Sequence, residues 1–541
     1  MVFLAEKILP IPPTDILSWI FDQVPYDIDE PILLDASDPN RSISNRQAKI
    51  LVRKLVAGLK RWGIRPGQKD VVCLHSFNDI LYTILVLGVI GAGGIVTGSN
   101  PAYTPYELAH HIRTAEVGYL ITEPEMLGAI LEAADECKLP RSNVLIFNVF
   151  DPAVPEGFQS WETLLQHGEE DWDRFNNLET AKRAQAARLF SSGTTGLPKA
   201  ALTSHYNLVA QHELVYGRST RDYRMRLLLP LPMFHAAAFP VAHTTALKAG
   251  NITYIMRRFD LETFLRNIER YKITDLAMVP PIIIQTIMSP LSKKYSLRSL
   301  RSAQVGAAPL SKDAQKRFEN LLEKNVQCTQ VWGMTETTCI GFCFPWPERD
   351  KTGSIGRPLP NLDIKIVNEF GADISAYDVT GELCIRGPTV ISGYLNKPTA
   401  NEEFDADGFY YTGDIVYCDS KTKLWYIVDR KKELIKVRGF QVAPPELEGV
   451  LLSHPQIVDA AVIGVPSPNG DDQVPRAYVV RRAGATLTAA EVKKHLAGKL
   501  ARFKHLEGGV IFVPAIPKNA SGKIIKRLLR DDAKKEMTAR L

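Results

Sequence analysis

Short apolar, β-branched runs alternate with longer amphipathic segments over most of this chain, and that alternation leaves few architectures open. The runs include DVVCLHS (70–76), VGYLIT (117–122), NVLIFN (143–148), NITYIM (251–256) and DLAMVP (275–280). Between them lie helix-like stretches such as NRQAKILVRKLVAGLKRWG (45–63) and LETFLRNIERYK (261–272). Strands alternating with helices at this spacing predict an α/β fold of mainly parallel sheets covered by helices on both faces. At 541 residues the chain is too long for one simple domain. With 45% hydrophobic and 23% charged residues it can bury a large core without disulfides or structural metals.

After about residue 350 the texture changes. GSIGRPLPNLDIKIVNE and TGELCIRGPTVISGYLN are strand-and-turn sequences rich in Gly and Pro, and they predict a small barrel-like subdomain over 350–428. A further strand and helix series runs to the end, with Thr488-Ala-Ala-Glu491 reading as a capping box. These shifts divide the chain into an N-terminal domain over 1–431 and a smaller α+β C-terminal domain over 432–541.

Several function classes recede on composition. The net charge of +5 is mild; it does not call for nucleic acid, though it suits anionic substrates. Seven scattered cysteines without a CxxC pair read as reduced thiols in an intracellular protein. Residues 80–96 are mostly apolar, but Gly88, Gly91, Gly93 and Gly94 interrupt them and Pro101 follows. That pattern predicts a buried helix leading into a buried parallel strand, not a membrane span. The chain closes on Ala539-Arg540-Leu541, a small–basic–leucine tripeptide like the peroxisomal SKL address. It predicts a peroxisomal location and an import receptor as partner; otherwise the protein would be cytoplasmic.

The chemistry concentrates in LFSSGTTGLPKAALTSH (189–205). Ser191, Ser192, Thr194 and Thr195 alternate with Gly193 and Gly196, and Lys199 closes the segment. Glycines let backbone N–H groups turn toward an anion, hydroxyls donate further bonds, and the lysine adds a point charge. The combination suits a polyphosphate. It is not a Walker A loop, because the Gly-x-x-Gly-x-x-Lys spacing is wrong and Ala200 stands where a Ser or Thr would follow the lysine.

This loop resembles the first core motif of the adenylate-forming superfamily, which includes acyl-CoA synthetases, 4-coumarate:CoA ligases, beetle luciferases and peptide-synthetase adenylation domains. The family usually has glycine after the lysine, where this chain has Ala200. Further motifs follow in the family's order: VGAAPLSKD (305–313), QVWGMTETT (330–338), FYYTGDI (409–415), VDRKKELIKVRGFQVAPPELE (428–448) and IPKNASGKIIKR (516–527). The similarity covers nearly the whole chain.

The resemblance implies a role for each matched position. Gly306, Ala307, Ala308 and Pro309 line the acyl pocket and approach adenine. Trp332 stacks on adenine where tyrosine is more usual, Gly333 and Met334 continue that motif, Thr335 touches the α-phosphate, and Glu336 helps to hold Mg2+. Asp414 accepts both ribose hydroxyls, as two carboxylate oxygens can. Arg430 is a second ribose or phosphate contact, and Lys432 is the hinge about which a mobile C-terminal domain turns. Lys523 reaches the α-phosphate and the substrate carboxylate. Lys436 and Gln441 belong to the later transfer to coenzyme A, Gly439 of the same motif is a cofactor contact, and His235 in LPMFHAAAF (231–239) borders the acyl pocket.

The function implied is an ATP-dependent carboxylic acid:CoA ligase acting on an aryl or medium-chain acid, with ATP, Mg2+ and coenzyme A taking part. Ala236, Ala237 and Ala238 suggest a roomy acyl pocket. Two alternatives are a different acceptor, either a carrier-protein thiol or molecular oxygen, and a nucleotide-binding regulator without chemistry. No carrier sequence follows, no residue supports an oxygenase, and Lys523, Glu336 and the 191–199 hydroxyls are all present.

Overall fold

The computed structural model describes residues 2–150, 153–191, 198–218, 221–396, 403–437, 440–467, 473–519 and 522–538, with Phe440, Gln441, Met537 and Thr538 described by backbone alone. Ser192, Gly193, Thr194, Thr195, Gly196, Gly439 and the tripeptide Ala539-Arg540-Leu541 therefore lie outside the described residues.

Helix Asn45–Trp62 shows how the sequence sets its own boundaries. Ser44 and Gln47 exchange hydrogen bonds in a capping box, and Gly63 ends the helix at φ +120°. The next helix, Ile80–Gly91, is buried nearly all round and opens on Asp79, whose carboxylate accepts from the Leu81 N–H. It packs on the first helix at Gly88, where a Cβ would come within 2.7 Å of Leu55. The chain then enters strand Ile95–Gly98, so the apolar run forms the helix-to-strand unit expected of it. Among the described residues no helix is long and apolar enough to cross a membrane.

Two seven-stranded sheets organise the N-terminal part. One runs in the order Gln159–Ser160, Val144–Ile146, Tyr119–Thr122, Val71–His75, Ile95–Gly98, Gln185–Ser191, Lys199–Ser204. The other runs Gln327–Gln330, Ser302–Val305, Asp275–Met278, Arg226–Leu229, Ile252–Ile255, Pro31–Asp35, Ser42–Ser44. Each is parallel except for its last pair. Val72 and Leu74 of one sheet and Leu228 and Tyr254 of the other belong to a single apolar core with Leu55 and Leu85 of the helices. Fully burying one such side chain stabilises by about 1.5–3 kcal/mol, so this core dominates the fold.

Over the span expected to be barrel-like, strands Asp363–Val367, Gly381–Arg386, Tyr410–Cys418 and Trp425–Arg430 form an antiparallel meander. A three-stranded sheet containing Trp332–Met334 and Cys339–Cys343 shares its core, through Phe342, Ile364, Leu383 and Trp425. The C-terminal part has the hairpin Ile435–Val437 and Phe440–Val442, then a mixed sheet of Ile457–Pro466, Gln473–Arg481 and Val510–Phe512. Helices Pro444–Leu452, Ala489–Ala497 and Lys526–Thr538 accompany it, and the capping box at Thr488 and Glu491 forms as expected.

Candidate active site

The site collects at the carboxyl ends of parallel strands, where α/β sheets leave a crevice. Ser191, Gly306 and Val331 end or follow the strands Gln185–Ser191, Ser302–Val305 and Gln327–Gln330, and Leu231 and Val279 follow Arg226–Leu229 and Asp275–Met278. All of them line one cavity of about 150 Å3, together with His235, Ala307, Gly333, Met334, Thr335, Glu336, Arg430 and Lys523. A second cavity, of about 160 Å3, shares Ala307, Gly333, Arg430 and Lys523 and adds Ala308, Pro309, Trp332 and Asp414. A third, of about 820 Å3, shares Ser191, Met334, Glu336 and Arg430 with the first and adds Lys199 and Lys432. Arg430 borders all three.

Strand pairing explains why the motifs carry their spacings. Ser191 and Lys199 are register partners in an antiparallel pair, so segment 192–197 is the connection between them. Ala200 faces Phe190 in that ladder and is 1% exposed, so a strand methyl fits where the family has glycine. The Lys199 ammonium pairs with Glu403 and lies 4.8 Å from the centre of the Tyr394 ring. Asp414 and Arg430, sixteen positions apart, are likewise register partners.

Asp414 is 3% exposed and held from both sides. Arg430 Nε donates to its Oδ1 at 2.7 Å, and Trp332 Nε1 donates to its Oδ2 at 2.8 Å. Trp332 thus orients the carboxylate expected to meet ribose, while its ring lies edge-on to Phe342. Tyrosine at this position would lack the indole donor. Gly333 has no alternative, since a Cβ there would come within 1.6 Å of the Cys339 carbonyl oxygen. Ala307 adopts φ +69°, a strained turn for a residue with a side chain, beside the second cavity.

Glu336 is 2% exposed and accepts a hydrogen bond from the Tyr394 hydroxyl, which also bonds Tyr410. Burial and the Glu336 charge push the Tyr394 phenol far above its ordinary range, so it remains a donor. Among the described residues no group of three or more acidic, His or Cys side chains forms a metal cage. A single carboxylate bordering two of the cavities fits Mg2+, which keeps waters and substrate phosphate oxygens as most of its ligands.

His235 and Lys523 set the electrostatics of the first cavity. The His235 Nδ1 accepts from the Ala237 N–H at 3.1 Å, which leaves the ring proton on Nε2. Burial, helped by the Lys523 charge, lowers its pKa to about 4, so the ring is neutral at ordinary pH. Lys523 sits at the end of a turn closed by Asn519, which exchanges backbone and side-chain bonds with it at 2.9 Å, and Gly522 takes φ +80°. Burial, followed by the Arg430 charge, lowers the Lys523 pKa to about 8.

Lys436 does not join this group, and the side chain of Gln441 lies outside the described residues. The two residues face each other across the hairpin of 435–442, and Lys436 is exposed and outside all three cavities. Lys432 is exposed at the rim of the third cavity. Two residues escaped the reading of the sequence. Tyr394 lies in ISGYLN, which reads only as a turn, and nothing in that segment marks its hydroxyl. Gln211 lies in NLVAQHELV among other polar residues of its helix, so nothing in the sequence sets it apart, and it lines the first cavity.

Comparison with known proteins identifies the family. Residues 21–395 match the family model of the AMP-binding enzymes, and residues 446–523 match that of the AMP-binding enzyme C-terminal domain. The phenylacetyl-CoA ligase epaB of Aspergillus niger is 52% identical over 98% of this chain and 99% of its own. The acyl-CoA ligase azaF of Aspergillus niger is 51% identical over 98% and 100%. Among solved structures, ATP-bound MatB from Rhodopseudomonas palustris superposes with a TM-score of 0.82 at 28% identity, covering 97% of this chain and 99% of that one. On fold, motifs and these relatives together, the chain belongs to the AMP-binding enzyme family.

Proposed function

We propose that the protein is an ATP-dependent acid:CoA ligase for an arylacetic acid of the phenylacetate type. The observation that carries this is the meeting of Ser191, His235, Thr335, Glu336, Arg430 and Lys523 around one cavity whose remaining wall is mainly apolar. The similarity to a phenylacetyl-CoA ligase supports the substrate class. So does size: a cavity of about 150 Å3 matches an engineered cavity of that volume known to take benzene, and it is short for a long acyl chain.

In the first half-reaction a substrate carboxylate oxygen attacks the α-phosphorus of ATP and pyrophosphate leaves in line. Charge gathers on the α-phosphoryl oxygens, so positioned cations and N–H donors matter more than a strong base. His235 offers its Nε2–H to the carboxylate, and Lys523 bridges carboxylate and α-phosphate. Asp414, steadied by Trp332 and Arg430, fixes the ribose. Glu336, steadied by Tyr394, would hold Mg2+, which when bound neutralises phosphate charge. In the second half-reaction the coenzyme A thiol attacks the carbonyl carbon of the acyl-adenylate and AMP leaves. This step needs the 435–442 hairpin, carrying Lys436 and Gln441, to replace the 519–523 turn at the cavity by rotation about Lys432.

The two-state assignment is tested by separating the half-reactions. Lys523→Ala is expected to lower acyl-adenylate formation by about 10²–10³-fold while sparing thioester formation from supplied acyl-adenylate. Lys436→Ala should do the reverse, and equal loss of both steps in both folded variants would refute the assignment. Peroxisomal import is a separate proposal, supported by the residues Ala539-Arg540-Leu541 alone.

A further inference from the structure

Gln211, on helix His205–Val215, is 2% exposed and lines the acyl cavity. Among the described residues neither its amide nitrogen nor its amide oxygen has a hydrogen-bond partner. Buried polar groups are almost always paired, so an amide left open on both atoms beside a cavity points to a ligand. Neighbouring polar residues of the same helix are satisfied. Asn207 donates to the Pro388 and Val390 carbonyls, and His212 bonds the Thr245 hydroxyl. Tyr216 lines the cavity as well, and burial raises its phenol well above the ordinary range, so it presents a neutral hydroxyl there. The nearby wall of Ala236, Ala237, Pro240 and Val241 offers apolar contact.

Beside the reacting groups the wall is mainly apolar, with Gln304 and Tyr216 as further polar residues on it, and a buried open amide in such a wall suits a mainly apolar ligand that carries one hydrogen-bonding group. We propose that Gln211 reads a hydroxyl on the ring of the acid, so that a hydroxylated arylacetic acid is the preferred substrate. The inference rests on the ligase reading above and narrows its substrate class. A hydroxyl is the smallest neutral group that both donates and accepts, so it can pair with the amide in either orientation. A charged substituent does not fit, because a neutral amide cannot offset the desolvation of a buried charge. A methyl of similar size would fill the space and leave the amide unpaired. A site built to bond a substrate hydroxyl discriminates strongly against the analogue without one, whereas a purely apolar pocket cannot.

The test is pyrophosphate release by the full-length enzyme with phenylacetate and with its 2-, 3- and 4-hydroxy and methyl derivatives. One hydroxy isomer is expected to exceed phenylacetate in kcat/KM by about tenfold or more. Gln211→Leu, close in volume, should cut kcat/KM for that isomer by about 10–100-fold, leave phenylacetate within about twofold and improve the matching methyl acid. Its thermal midpoint should hold or rise, because an unpaired buried amide is removed; Gln211→Met repeats the test if leucine packs poorly. If phenylacetate is used but no hydroxy isomer gains on it, or if the variants lower every acid alike, this inference alone is overturned. If no acid releases pyrophosphate, the ligase reading fails and takes the inference with it.

Discussion

Two side chains with opposite preferences share the reaction cavity. His235 is held neutral by burial and, beyond it, by the lysine's charge, with a pKa of about 4. Lys523, its pKa lowered to about 8, must keep its proton to stabilise phosphoryl charge. The acid limb of kcat/KM for adenylation therefore belongs to His235, which on protonation at Nδ1 loses its bond from Ala237. The basic limb belongs to Lys523, whose charge is present below about 8 and lost as pH rises past it. Lys523→Arg should flatten the basic limb, since a guanidinium does not deprotonate in this range. A limb near pH 8 that survives the substitution would assign it to another group. The sequence showed that a lysine stood in a glycine turn and a histidine beside apolar residues. It could not show that the two share one cavity, because 288 positions separate them.

At the scale of elements, antiparallel pairing turns sequence spacing into chemistry. Ser191 with Lys199, Asp414 with Arg430 and Lys436 with Gln441 are each opposite partners in a ladder. Those spacings were legible as motifs, but their cause was not, because register depends on which strands meet. Gln211 and Tyr394 were illegible for a related reason: each matters through what it lacks or meets across the fold. The same scale contains a charge cluster that ties the last helix to the rest. Lys526, 6% exposed, lies 3.4 Å from Glu433 and 3.1 Å from Glu448. Asp429 is 3% exposed, and one of its carboxylate oxygens has no hydrogen-bond partner among the described residues; burial raises its pKa to about 7 against the opposing pull of Lys526. Lys526→Met leaves these carboxylates uncompensated and should destabilise the protein by about 3–5 kcal/mol, seen as a lower urea midpoint. Asp429 binds its proton more tightly folded than unfolded, so folding gains as pH falls below 7. The defect should accordingly shrink between pH 8 and pH 5, and a defect independent of pH would contradict this origin.

For the molecule as a whole, two helix-covered sheets supply a rigid crevice and the smaller C-terminal part supplies one lysine to it. The alternation of strands and helices foretold the sheets, and the glycine-broken apolar run fell into helix and strand as its pattern required. The placement of the C-terminal part could not be read from the chain, because it depends on a turn reaching across to a cavity built by other segments. Here Lys523 lines the cavity and Lys436 is exposed outside it, an arrangement suited to adenylation. All of this depends on the acid's own oxygen attacking the α-phosphorus. The direct measurement is turnover of an arylacetic acid labelled with 18O in its carboxylate, with ATP, Mg2+ and coenzyme A, followed by mass spectrometry of the nucleotide product. One labelled oxygen should appear in each AMP formed, because the thiol cleaves the acyl carbon–oxygen bond and leaves that oxygen on phosphorus. Unlabelled AMP, or ADP with label in inorganic phosphate, would contradict the account.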